Sequence, residues 1–191
     1  MDFVRGILLE KSWAGISQEQ RESAATKVAD LMNRMQSINL NDLAPGPVGY
    51  DMEADEPWPR PYFTDYGTGP FPTLGDMEDW YNHKLDVCVH WKQGSDSVPR
   101  FEFKDLVTTH QDIVPRNIIV KEETGEVWLI DWGMGGIYPV GFEQAALAWQ
   151  GPGEYDRELR ELVLPKLAYQ GDLELRQLRN ILYGVTTAAF L

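Results

Sequence analysis

Two carboxylates and one amide, set on either side of a short hairpin pattern, are the residues best placed for chemistry. The polar stretch His110-Gln111-Asp112-Ile113-Val114-Pro115-Arg116-Asn117 leads straight into an apolar run, NIIV, over 117–120. A second run, VWLI over 127–130, ends in Asp131-Trp132-Gly133, and KEETGE between the two runs is a polar turn containing Gly125. Partly β-branched runs joined by such a turn predict a β-hairpin. The fold-back returns Asp131 to Asn117 and Asp112, so oxygen-bearing side chains converge on one spot. Hard cations such as Mg²⁺ take oxygen ligands and complete their shell with phosphate oxygens. Phosphoryl transfer asks for this set: one carboxylate to orient a hydroxyl nucleophile and take its proton, and an amide oxygen with a second carboxylate to hold the metal.

The elements that must position these residues are mostly helical. Residues 17–39 predict a long helix, with Ser17 and Gln20 as a capping box and Ala25, Val28, Leu31, Met32 and Met35 as one apolar stripe, ordinary core filling. A second helix is expected over 76–91, with Met77, Trp80, Tyr81 and Leu85 on one side and Asp76, Glu78 and Asp79 opposing its dipole. Further helices are expected over 142–149, 153–168 and 172–190, the last capped by Asp172. Between the first two helices, residues 40–75 are dense in proline and glycine, which forbids long helices and marks an extended, loop-rich segment. The predicted class is α+β, mainly helical, with one small hairpin.

Composition narrows the field. The chain has 191 residues, 17 basic and 30 acidic, for a formal charge of −13. A chain this acidic, with no basic block, is poorly suited to phosphate backbones or anionic membranes. The longest uncharged run, Asn180 to Leu191, is 12 residues, too short to span a bilayer. Cys88 is the only cysteine, which excludes an intrachain disulfide and four-cysteine zinc sites. The opening MDFVRGILLEKSW has no uninterrupted apolar stretch, so no signal peptide is expected and a cytoplasmic location is.

HxDxxxxN followed by an apolar strand and Ile130-Asp131-Trp132 resembles the aminoglycoside phosphotransferase and choline kinase-like family, a relative of the protein kinases. Gly6–Trp13 resembles that family's segment after the hinge. Gly69-Pro70-Phe71 and the helix with Trp80 and Leu85 resemble the substrate-side insert of some members, and Tyr138-Pro139 with Phe142-Glu143 the stretch after the metal aspartate. The resemblance covers about residues 1–165. It implies Asp112 as catalytic base or positioning group, His110 as the catalytic-loop histidine that braces it, and Asn117 and Asp131 as ligands of Mg²⁺ and, through it, ATP. By itself an aspartate before a strand is ordinarily a turn or cap residue. Gln111 departs from the family pattern, which commonly has glycine there, and Val114 replaces a frequently polar residue.

The largest departure lies at the start. Residues 1–6 resemble the hinge, so the chain reads as a single C-terminal lobe, 1–191, lacking the N-terminal lobe with its loop over the phosphates and its phosphate lysine. Lys11 and Lys121 are in the wrong context for that lysine, and Gly133-x-Gly135-Gly136 reads as a turn rather than a phosphate cradle. The expected activity is ATP- and Mg²⁺-dependent phosphorylation of a small-molecule hydroxyl, weak or absent in the isolated chain. The alternatives are a ligand-binding pseudokinase and an enzyme that reuses the cleft for acid–base chemistry such as cyclisation or isomerisation. A small-molecule ligand is the expected partner, with a homodimer or a separate N-lobe covering the top face. Asp51, Glu53 and Asp55 of the loop-rich segment, with Trp58 and Tyr62, are candidates for a groove that takes a cationic substrate, although a solvated loop has the same composition.

Overall fold

A computed structural model describes residues 4–48, 68–149, 153–189 and 191. The chain opens with β1 (Ile7–Leu8), α1 (Leu9–Ser12), a 3-10 turn over Trp13–Gly15 and α2 (Gln18–Met35). Next come β2 (Gly46–Pro47), α3 (Leu74–His90) and β3 (Leu106–Thr109). A 3-10 turn, Pro115–Asn117, leads into β4 (Ile118–Val120), β5 (Val127–Leu129) and β6 (Gly136–Pro139). The rest is helical: α4 (Gly141–Trp149), α5 (Glu154–Val163), a 3-10 turn over Leu164–Lys166, α6 (Asp172–Asn180) and α7 (Leu182–Val185). The architecture is mainly helical with small antiparallel sheets. Among the described residues no helix is long and apolar enough to cross a membrane.

Local sequence explains most boundaries. Ser17 accepts from the Gln20 N–H while the Gln20 side chain accepts from the Ser17 N–H, the reciprocal box that starts α2. Thr73 and Asp76 do the same for α3, which therefore begins two residues before the predicted 76. Three predicted helices are shorter than expected, the first being α2, which ends at Met35 and not at 39. Pro165 sits in the first turn of a 3-10 segment, so α5 ends at Val163 and not at 168. The expected 172–190 helix breaks at Ile181 into α6 and α7, and its cap is Gly171, with Asp172 already inside the first turn.

The predicted hairpin is present, with Ile118 paired to Leu129, Ile119 to Trp128 and Val120 to Val127. β1 adds a third strand through Ile7–Val120 and Leu8–Ile119. A second sheet, in the order β2-β6-β3, has no counterpart in the sequence reading. Its strands are two to four residues long and hold Gly46, Pro47, Gly136 and Pro139, which hide the period-two signal. In this sheet Thr109 pairs with Gly136, so the end of β3 that feeds the polar loop lies beside the glycines after Asp131.

Among the described residues, two apolar clusters hold the fold. One gathers Leu9, Trp13, Ala25, Val28 and Met32 with Ile113, Ile118, Leu129, Leu159 and Val163. The other gathers Met77, Tyr81, Phe101, Tyr138, Phe142, Leu178 and Ile181. Helix α4 joins them, giving Phe142, Ala145 and Ala146 to the second and Leu147 to the first. The loop at 110–117 therefore rests on packed core through Ile113 and Ile118, and this rigidity is what positions its polar side chains.

Candidate active site

The loop at 110–117 is built around His110. Its ring is fully buried; Nε2 lies 3.0 Å from the Ile130 carbonyl and Nδ1 accepts from the Asp112 N–H at 3.2 Å. That pattern assigns the neutral tautomer with the proton on Nε2. Burial lowers the imidazole pKa, against the upward pull of the Ile130 carbonyl and of the Asp112 and Asp131 carboxylates. With both nitrogens engaged, His110 links the polar loop to the strand end that carries Asp131.

Asp112 and Asn117 touch directly. Asn117 Nδ2 donates to the Asp112 carbonyl at 2.9 Å and to Oδ2 of its carboxylate at 2.7 Å. Both amide hydrogens are thereby used, which leaves Oδ1 of Asn117 as the atom able to face a cation. The register holds Asp131 nearby: the Ile130 N–H donates to the Asn117 carbonyl at 3.0 Å, one residue before Asp131. Asp131 is exposed and left-handed, with φ of +62°, a backbone that departs sharply from the strand. Arg116 completes the cluster with Nη2 at 3.0 and 2.9 Å from the two Asp112 oxygens.

Glu143, on α4, is the site residue that sequence reasoning missed. Its carboxylate is wholly buried and accepts the backbone N–H groups of His110 and, at 3.0 Å, Gln111. Burial pushes its pKa up to about 7 even though the two amides favour the charged form. The available signal was a lone acid in GFEQAALAW, a helix buried from Gly141 through Leu147, since a buried carboxylate needs donors. Gln111 has φ of +60°, which accounts for glycine being common there in the family. Its side chain turns inward, donating to Thr109 Oγ1 at 3.2 Å, and does not crowd the loop. Trp132 stacks edge-on against His110 at 4.7 Å and donates to the Leu129 carbonyl.

The other candidates separate. Gly136 packs closely, its missing Cβ leaving room for Tyr138 and the Gly46 carbonyl, so that glycine serves the sheet. Lys11 is exposed, and Lys121 pairs with Glu126 and covers the Trp128 ring. His83 and His90 are exposed. Asp51, Glu53, Asp55, Trp58 and Tyr62 lie outside the described residues. Among the described residues no three His, Cys, Asp or Glu side chains gather as a metal site. An Asn117 and Asp131 pair supplies two oxygen donors, which suits Mg²⁺, a cation that keeps waters and phosphate oxygens in its shell.

A buried histidine, an aspartate bonded to an asparagine five residues on, and a strand pair ending in a second aspartate are the features expected of a kinase-like catalytic loop. The sequence profile of the phosphotransferase enzyme family matches residues 1–177, and the chain belongs to that family. Aminoglycoside phosphotransferase APH(2'')-Ib, solved with ADP bound, has the same fold at 12% identity and a TM-score of 0.51, covering 93% of this chain and 58% of that one. The gentamicin–APH(2'')-IIa complex is also similar, at 14% identity and a TM-score of 0.47, with 92% and 56% covered. The chain thus spans a little over half the length of these structures. No curated protein matches it.

Proposed function

We propose that this chain carries the catalytic lobe of a phosphotransferase that moves the terminal phosphoryl group of ATP to a hydroxyl of a small molecule. The observation that carries the reading is the Asn117 amide, whose N–H groups are both bound to Asp112, so that Oδ1 is left for a cation beside Asp131. Mg²⁺ bound by Asn117 and Asp131 would neutralise phosphate charge. Asp112 would orient the acceptor hydroxyl and take its proton as the oxygen–phosphorus bond forms, the bond to the departing ADP breaking with its electron pair. His110 and Glu143 would act by position, holding the loop backbone from two sides.

The hairpin offers a floor for the nucleotide base. Leu8, Ile119 and Trp128 lie side by side across β1, β4 and β5, on the face opposite the buried Ile118 and Leu129. An apolar shelf next to a few convergent polar groups is the usual form of a cofactor site. The part of the clamp that covers the phosphates would come from the length of such enzymes that this chain does not span, in the same polypeptide or in a partner. With the clamp open to water, charges at the loop are screened and transfer by these 191 residues alone would be slow.

The test is the melting temperature with and without MgATP. Ligand that binds only the folded state stabilises it by mass action. The wild type should shift upward and Asp131→Ala should not. An equal shift in both proteins, or none in the wild type, would remove the reading.

A further inference from the structure

The ion pair at Asp112 is bonded in an unusual way. One nitrogen of Arg116, Nη2, lies between both carboxylate oxygens. A fork-to-fork pair would engage two guanidinium nitrogens. Nε and Nη1 have no hydrogen-bond partner among the described residues, so three of the five donors an arginine carries are uncommitted. The Arg116 side chain is 52% exposed, against 23% for Asp112. The local fold puts it there. Pro115 starts the 3-10 turn, the Asn117 N–H closes on the Val114 carbonyl at 2.9 Å, and the residue between them is delivered beside the carboxylate.

Stiffening the loop does not require this pair. Asp112 is already held by Asn117 and, through its own N–H, by His110. Exposed ion pairs add little to stability. The charge balance gives the guanidinium a better use. A phosphoryl group approaching this loop meets Asp112 and Asp131 on a chain of formal charge −13. An arginine with donors to spare matches phosphate oxygens in both charge and planar geometry.

We propose that Arg116 binds the terminal phosphoryl group presented to Asp112, screening the carboxylate and holding the transferring anion with the same guanidinium. The inference rests on the phosphotransferase reading above and deepens it by naming a phosphate ligand. It is specific to the last phosphate, because that is the group that must meet the acceptor at Asp112.

Calorimetric titration of the 191-residue chain with MgATP and MgADP tests it, in the wild type, Arg116→Ala, Arg116→Lys and Asp131→Ala. Loss of a charge-assisted contact should weaken MgATP roughly tenfold or more in Arg116→Ala, with MgADP changed by less than about threefold. Arg116→Lys should recover part of the loss, since an ammonium keeps the charge without the fork. Asp131→Ala should weaken both nucleotides. Melting curves of the unliganded variants should match the wild type, as an exposed pair predicts. If MgATP binds the wild type, is lost in Asp131→Ala and is unchanged in Arg116→Ala, the phosphotransferase reading stands and the role of Arg116 is overturned. If the wild type binds neither nucleotide, that reading fails and the inference falls with it.

Discussion

At Glu143, burial and hydrogen bonding pull one carboxylate in opposite directions. Two loop amides favour the ionised form, and removal from water favours the neutral one and raises the pKa from 4.5 to about 7. An acid raised on folding holds its proton in the native chain after the unfolded chain has lost it. Its contribution to stability is fully present below about pH 4.5 and is lost as pH rises through about 7. His110 works with the opposite sign: burial lowers its pKa, so its contribution is lost as pH falls. The comparison of wild type with Glu143→Gln isolates the glutamate. Glutamine has one oxygen for two N–H donors, so the variant should be less stable by about 1–3 kcal/mol. The gap should narrow as pH rises across the window, and melting curves in a pH series would show it; a constant gap would contradict the assignment. The contact of Asp112 with Asn117, and the return of the strand end before Asp131 to Asn117, were legible because the spacing around the hairpin pattern carries information within one short stretch. Glu143 was not, because its partners are backbone groups about thirty residues away in sequence, and backbone amides leave no mark on composition.

Among the elements, the long helices were readable because caps and stripes are local. Ser17 and Gln20 mark the start of α2 in sequence and in structure. Ser17→Ala should cost about 1 kcal/mol in chemical denaturation, with no effect on nucleotide binding, since the cap is remote from the loop. The β2-β6-β3 sheet was unreadable for the complementary reason: its strands hold few alternating residues, and pairing partners such as Gly46 and Ile137 are far apart. Gly136 shows what the sheet requires. A Cβ there would come within 2.3 Å of the Tyr138 ring and 2.5 Å of the Gly46 carbonyl. Gly136→Ala should therefore destabilise the protein by about 1–3 kcal/mol, the usual cost of overpacking. Because Thr109 pairs with Gly136, the same change should loosen His110. Faster amide exchange at His110 and Gln111 would show that coupling, and unchanged exchange would deny it.

Among the described residues the molecule is two apolar clusters bridged by α4, and the polar loop rests on one while its glutamate brace comes from the bridge. This arrangement predicts one cooperative unfolding transition, in which Leu147→Ala shifts the midpoint without splitting it; two separate steps would mean that the clusters fold independently. Lys84 ties the far side. Buried on α3, it donates to the main-chain oxygens of Ala189 and Leu191 at 2.8 and 2.6 Å, and burial lowers its pKa. The family and the kinase-like fold were legible at this scale from one motif and its flanks, while the substrate was not, since the candidate groove lies in residues 49–67, outside those described. The account depends on Asn117 and Asp131 sharing a divalent cation with a nucleotide while Asp112 does other work. Water-proton relaxation with Mn²⁺ in place of Mg²⁺, titrated in the presence of ATP, reads that cation directly. The account predicts an enhancement in the wild type and in Asp112→Asn that disappears in Asn117→Ala and in Asp131→Ala. An enhancement that survives both of those substitutions, or none in the wild type, would contradict it.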